Sequence, residues 1–182
     1  MKEGGFIADD TGLNPGTGKA GRISKYRLRD NYCRFYLKYI VPHRREIENG
    51  SYHYVSLENL PGWNSIIGLQ FENLIVNNAM DLLPYLHIGN AVVESSAPYR
   101  GSGCQVDLLI QTARTAYVVE VKRQREIGME IVDEMELKLR RLPLRKGMSA
   151  RPVLVYDGEL SASVEGCGYF DAIIPARKLL GL

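Results

Sequence analysis

The chain has 182 residues, 45% of them hydrophobic and 24% charged, with a formal net charge of +2. A chain of this make-up can bury about 70% of its unfolded surface, which excludes the disordered, collagen-like and low-complexity classes. Charge this balanced leaves nucleic-acid binding to local patches, and no apolar run is long enough to span a bilayer, so no membrane partner is expected.

The opening MKEGGFIADD has no apolar leader stretch, so no signal peptide is predicted. The glycine-rich GLNPGTGKAG superficially looks like a phosphate-binding loop. Leu13, however, stands where such a loop needs glycine six residues before Lys19, and Ala20 stands where it needs Ser or Thr. An exposed hairpin loop between short strands near residues 5–8 and 23–28 is predicted instead. Residues 29–40 (RDNYCRFYLKYI) read as a helix. Asp30 or Asn31 can cap it, and Tyr32, Phe35, Tyr36 and Tyr39 form one aromatic face. That face suits packing against a neighbouring domain or a second copy of the chain. Stacking of bases beside Arg29 and Arg34 is the sharper alternative. Pro42 and the charged HRREIENG read as a connector.

From Pro61 the pattern changes. Residues 64–86 form a long helical candidate, with Asn64 or Ser65 as cap and Pro84 as stop. Within it Glu72 is flanked at helical spacing by Gly68, Leu69, Ile75 and Val76, which turns its carboxylate toward the protein. Strands are predicted near residues 87–95, 105–111 and 116–122, with GSG at 101–103 and TART at 112–115 as turns. A helix over 126–142 carries Ile127, Ile131, Met135, Leu139 and Leu142 as its apolar stripe and stops at Pro143. A buried strand at 151–156, a last strand at 169–174 and a short helix follow. Hairpins followed by a crossover helix imply an α/β (α+β) chain with a mixed sheet flanked by helices.

Cys33, Cys104 and Cys167 are odd in number and widely spaced, and His43, His53 and His87 never pair at helical spacing. Disulfide frameworks, zinc knuckles and zinc-protease helices are thereby excluded, and a reducing, cytoplasmic setting is expected. Charge appears instead where strands usually hold apolar residues. In QVDLLIQ, Asp107 alternates onto one face with Leu109, and in YVVEVK, Glu120 and Lys122 share a face. If the strands pair, two acids and a lysine converge. Half-buried, they are costly unless they neutralise one another or bind a cation.

Such a set suits metal-assisted phosphodiester hydrolysis. Mg²⁺ or Mn²⁺ takes hard oxygen ligands, here Asp107, Glu120 and the Val121 carbonyl, with Glu72 completing the acidic cluster. Lys122 would orient or activate the water and stabilise the oxyanion, and Gln124 would hold a water or a phosphate oxygen. The plainer reading of Glu120 and Lys122 is a cross-strand ion pair on a solvated edge, and that of Glu72 a partly exposed helix residue. Lys138, Arg140, Arg141, Arg145, Lys146 and Arg151 surround a helix C-terminus. Cations there complement the helix dipole on a solvated face. A phosphate-binding role for this run is the sharper reading, with Arg140, Arg141, Arg145 and Lys146, together with Arg123, as the nucleic-acid contacts.

An Asp followed after twelve residues by Glu-x-Lys, with a helical Glu72 upstream, resembles the core of the PD-(D/E)XK nuclease superfamily, which includes archaeal Holliday-junction resolvases and restriction endonucleases. The resemblance covers Glu72 to Tyr156. Val106 stands where the named motif has proline. It implies a restriction-endonuclease-like fold and a Mg²⁺-dependent endonuclease acting on DNA or RNA. A second likeness covers almost the whole chain. YRLRDNYCRFYLKYI (26–40), PGWNSIIGLQFENLIV (61–76) and QVDLLI…VVEVK (105–122) resemble the C-terminal part of the archaeal-type ATPases, in which a P-loop domain and a winged helix precede a nuclease-like domain of unknown function. It implies that residues 1–60 are an extension from a winged helix and 61–182 the nuclease-like domain. It also implies that the ATPase part is missing, as in a truncated piece or a stand-alone descendant. A non-catalytic module that binds nucleic acid or regulates a P-loop ATPase, in cis or in trans, stays open as the alternative.

Overall fold

The computed structural model describes residues 3–21, 26–53, 56–101, 103–179 and 181. Strands β1 (Ile7–Asp9) and β2 (Tyr26–Leu28) pair antiparallel. The start of the expected second strand, residues 23–25, lies outside the described residues. Within residues 10–21 the loop between these strands is exposed at Thr11, Asn14, Thr17 and Lys19 but docked at Leu13 and Pro15. Pro15 is buried, Ser95 Oγ accepts from the Leu13 N–H at 3.0 Å, and Gln111 Nε2 donates to the Leu13 carbonyl at 2.8 Å.

Helix α1 (Asn31–Phe35) begins at Asp30, whose carboxylate accepts from the Cys33 N–H at 2.6 Å. It continues as a wider π turn over Tyr36–Ile40 and a 3₁₀ turn at Val41–His43 around Pro42. The charged segment beyond is a helical turn, α2 (Arg44–Glu48), and not a bare connector; Arg44 and Glu48 pair across it at 2.7 Å. Phe35 and Tyr39 pack on Trp63, at ring-centroid distances of 6.5 and 6.2 Å. Tyr32 remains exposed.

Helix α3 (Trp63–Asn77) starts from Gly62, whose φ of +69° is the left-handed conformation glycine tolerates; neither Asn64 nor Ser65 caps it. It ends earlier than the apolar periodicity suggested. The Asn78 side chain donates to the Leu74 carbonyl at 2.8 Å, which satisfies a terminal acceptor, and the chain continues as a 3₁₀ stretch over Ala79–Tyr85.

A five-stranded sheet follows, in the order β3 (Ser95–Gly101), β4 (Cys104–Gln111), β5 (Thr115–Ile127), β6 (Ser149–Leu160), β7 (Ala172–Pro175). The β3–β4 and β4–β5 pairs are antiparallel and the β5–β6 and β6–β7 pairs parallel, so the sheet is mixed. The first strand lies later than residues 87–95. It runs through Pro98, which an edge strand tolerates because it needs no partner for the missing N–H. Helix α4 (Glu130–Arg141) is the crossover between β5 and β6. Ile127, expected at the head of that helix, is the last residue of β5 and lies buried beneath it. Two short helices, α5 (Ala162–Gly166) and α6 (Ala176–Leu179), flank β7.

Alternation along the strands divides the core between two faces. Leu108, Ile110, Tyr117, Val119, Val153 and Val155 meet Phe71 and Ile75 of α3 on one face. Val118 and Leu109 meet Met135 of α4 on the other, and Leu154 meets Ile131 and Val164 there. Among the described residues no helix is long and apolar enough to cross a membrane.

Beyond Arg123 the β5–β6 register shifts, so that Gln124 and Arg125 of β5 bulge opposite Gly158 of β6. Gly158 has φ +131°, and a Cβ there would run into the Gln124 carbonyl oxygen. Gly158→Ala is therefore expected to cost about 1–3 kcal/mol, read as a lower urea midpoint. Gly166→Ala, at a site with nothing within 4 Å, is expected to be neutral. Equal midpoints for the two variants would refute the strained bulge.

Candidate active site

The site forms where β4 and β5 part. Their ladder runs from Gln111↔Ala116 to Leu108↔Val119 and stops. Beyond that point β4 stays with β3, through Val106↔Tyr99 and Gln105↔Arg100, after a register shift that puts an extra residue on β4. β5 stays with β6 as far as Ile127. The next positions along the two diverging strands are Asp107 and Glu120.

Asp107 fills the fork. Its Oδ2 accepts from the Val121 N–H at 2.9 Å, taking over a bond that a continuing β4 would have made with its backbone. In a strand the N–H and C=O of one residue point to the same side, so the Val121 carbonyl faces the fork as well. Both acids are buried, Asp107 8% and Glu120 4% exposed.

Lysines meet Glu120 from two directions. Lys122 Nζ lies 3.3 Å from Glu120 Oε1 and 2.6 Å from Glu134 Oε2 of α4. Lys138, one turn further along α4, donates to Glu120 Oε2. Sequence reasoning passed over both α4 residues, placing Lys138 in a solvated basic run. The available signal was helical: Lys138 falls seven residues after Ile131 and four before Leu142, on the stripe that packs against the sheet.

Burial dominates the electrostatics. It raises the pKa of Glu120, and the neighbouring Asp107 charge adds to the rise against the pull of Lys138 and Lys122. Burial likewise raises Asp107 despite the Val121 N–H and Lys138, with Glu72 contributing upward. Glu72 is half-buried on α3. Burial raises it too, opposed by Arg100, Arg27 and Arg34 and reinforced by Glu120. Burial works against the Lys122 charge, but the Glu134 and Glu120 carboxylates outweigh it, so its pKa is raised and the ammonium persists.

The structure thus brings together Asp107, Glu120, Val121 and Lys122, with Glu72 in electrostatic reach. Among the described residues no three His, Cys, Asp or Glu side chains converge as a ready-made metal cage. The residues that could hold a divalent cation are Asp107, Glu120 and the Val121 carbonyl, all hard oxygens, with water completing the shell.

The other sequence candidates are dispersed. Gln124 is exposed at the bulge, beside a cavity of about 480 Å³ lined also by Asn64, Arg123, Arg125 and Asp157. Arg123 pairs with Asp157 at 3.0 Å. Arg140 pairs with Glu136 on α4, and Arg141 donates to the Gly103 carbonyl at 3.3 Å. Arg145 is committed to structure at the opposite end of β5, donating to the Ala113 carbonyl at 2.9 Å beside Glu94 at 3.4 Å. Lys146 is exposed.

Comparison with protein-family models, with curated proteins and with solved structures finds no match to the chain.

Carboxyls with raised pKa take up protons more readily folded than unfolded. The stability they contribute is therefore complete below the ordinary carboxylate range and is lost as pH rises through their folded values. Asp107→Asn keeps an oxygen for the Val121 N–H and removes the charge. In metal-free buffer its melting temperature is expected to fall less than the parent's as pH rises from acid to neutral. Parallel curves would show that the Asp107 charge does not set this slope.

Proposed function

We propose that the protein is a metal-dependent nuclease of restriction-endonuclease-like fold, hydrolysing DNA or RNA phosphodiesters. The single observation that carries the reading is the Asp107–Glu120 pair buried at the fork of β4 and β5 with the Lys122 ammonium 3.3 Å from Glu120. The element order supports the fold: α3, three antiparallel strands, the crossover α4, then β6 parallel to β5. The likeness of residues 26–40 and 61–76 to archaeal-type ATPases extends the proposal to a P-loop ATPase as partner.

Asp107, Glu120 and the Val121 carbonyl would hold Mg²⁺ or Mn²⁺, whose binding also removes the repulsion between the two acids. The cation supplies Lewis-acid charge and a bound water of lowered pKa. Lys122 keeps its proton, because Glu134 and Glu120 favour its charged form. Its role is accordingly electrostatic: to orient the attacking water and to meet the charge that develops on the phosphate oxygens. Glu134 would aim it, and Glu72 would add negative field at the site.

A second reading has one observation in its favour. Lys122 and Lys138 already balance the Glu120 carboxylate, as expected of a non-catalytic module that binds nucleic acid or regulates an ATPase.

Cleavage time courses on single-stranded, duplex and branched DNA and on RNA, with Mg²⁺ and with Mn²⁺, separate the two. The parent is expected to cut, and Lys122→Ala to lose about a hundredfold or more in rate while retaining metal-dependent thermal stabilisation. Equal cleavage by the two would point to a contaminating nuclease. Binding without cleavage by the parent would establish the module.

A further inference from the structure

Glu120 is buried, and its two oxygens are divided between two lysines: Lys122 at Oε1 and Lys138 at Oε2. The lysines are equally exposed, with 21% of each side chain accessible. Their anchorage differs. Lys122 is held more closely by Glu134, at 2.6 Å, than by Glu120, at 3.3 Å. Lys138 has Glu120 as its one ion-pair partner among the described residues. The Lys138 backbone is fixed in α4, where its carbonyl accepts from the Leu142 N–H at 2.9 Å and from the Cys104 thiol at 3.5 Å. Any rearrangement of Lys138 therefore falls to its side chain.

A divalent cation at Asp107 and Glu120 would compete with Lys138 for the Glu120 carboxylate. Lys122 has Glu134 as well to hold it, whereas Lys138 has Glu120 alone among the described residues, so Lys138 is the ammonium that a Mg²⁺ on that carboxylate would displace. Lys138 must therefore leave Glu120 before the cation is held fully. Leaving without a new anion would strand a half-buried ammonium, which is costly. Two neighbouring acids are already engaged. Glu134 is taken by Lys122, and Asp107 is turned to the Val121 N–H. An incoming phosphate would supply the missing anion to a flexible side chain of four methylenes ending in a strongly hydrated point charge.

Resting on the metal-site reading above, we propose that Lys138 is a phosphate-binding latch, held on Glu120 until a nucleic-acid phosphodiester draws it away, so that nucleic acid and divalent cation bind cooperatively. Binding linkage makes the effect reciprocal: nucleic acid tightens metal binding by the factor by which metal tightens nucleic-acid binding.

The test is Mn²⁺ binding, followed by the loss of the free-ion electron paramagnetic resonance signal, with and without a DNA oligonucleotide, for the parent, Lys138→Met and Lys138→Arg. For the parent, the oligonucleotide is expected to tighten Mn²⁺ binding by about tenfold, within the usual range of such couplings. Lys138→Met is expected to bind Mn²⁺ tightly with or without the oligonucleotide, and its oligonucleotide affinity should depend less on salt, by about one unit of slope. Lys138→Arg restores the charge and is expected to restore the coupling. Absence of coupling in the parent would overturn the latch even if Lys138→Met failed to fold. So would a Lys138→Met variant whose Mn²⁺ affinity and coupling match the parent's. Either result leaves the metal site standing. No Mn²⁺ binding by any of the three chains, with or without DNA, would remove the metal site itself and the latch with it.

Discussion

Everything distinctive about this chain depends on where one strand pair stops. β4 and the first half of β5 are central strands buried on both faces, and their ladder ends at Leu108↔Val119 although both strands continue. An abandoned ladder leaves buried N–H and C=O groups without partners, each a penalty comparable to a lost hydrogen bond. Asp107 relieves it by accepting from the Val121 N–H. A carboxylate at that point serves the backbone and at the same time places an acid beside Glu120. One side chain, Asp107, both satisfies the backbone and supplies an acid beside Glu120.

Helix α4 makes the arrangement tolerable. Two buried acids on adjacent strands repel, and the low-dielectric surroundings magnify the repulsion. The face of α4 that carries Ile131 and Met135 onto the sheet also carries Glu134 and Lys138. Hydrophobic packing on one side of that stripe fixes the helix, and the charges at its margin fall where the strand acids need them. Lys122 is thereby held between two carboxylates, and Glu120 between two lysines. Buried pairs of this sort contribute little net stability, because desolvation offsets attraction. They fix geometry.

The N-terminal region attaches by specific polar and aromatic contacts. Buried Asn73 of α3 donates to the Arg29 carbonyl at 2.6 Å and to Asn31 Oδ1 at 2.7 Å, while Gln70 and Asn31 exchange bonds at 3.1 and 3.2 Å. Arg27 bridges Asp10 at 2.9 Å and Asn77 at 3.1 Å. These bonds seat α3 from outside while Phe71 and Ile75 seat it on the sheet. Glu72 lies between, half-buried at the margin of the two contacts. The Arg145 N–H likewise bonds the Pro15 carbonyl at 2.9 Å, so a residue that reads as a basic surface group is part of how the N-terminal loop is held.

By itself the sequence determined the elements whose signal is local. Alternation marked β4 and the first half of β5, helical periodicity marked α3 and α4, and Asp107, Glu120 and Lys122 stood out as charges in apolar strands. Boundaries escaped where tertiary context overrides local preference. β3 extends through Pro98 because it is an edge, β5 runs on to Ile127 because Gly158 makes room for a bulge, and α3 stops at Asn77 because Asn78 caps it. The roles of Lys138, Glu134 and Arg145 were decided by the fold alone. A lysine on a helix reads the same whether it faces water or a carboxylate, and only the packing of α4 over the β4–β5 fork put Glu120 within its reach.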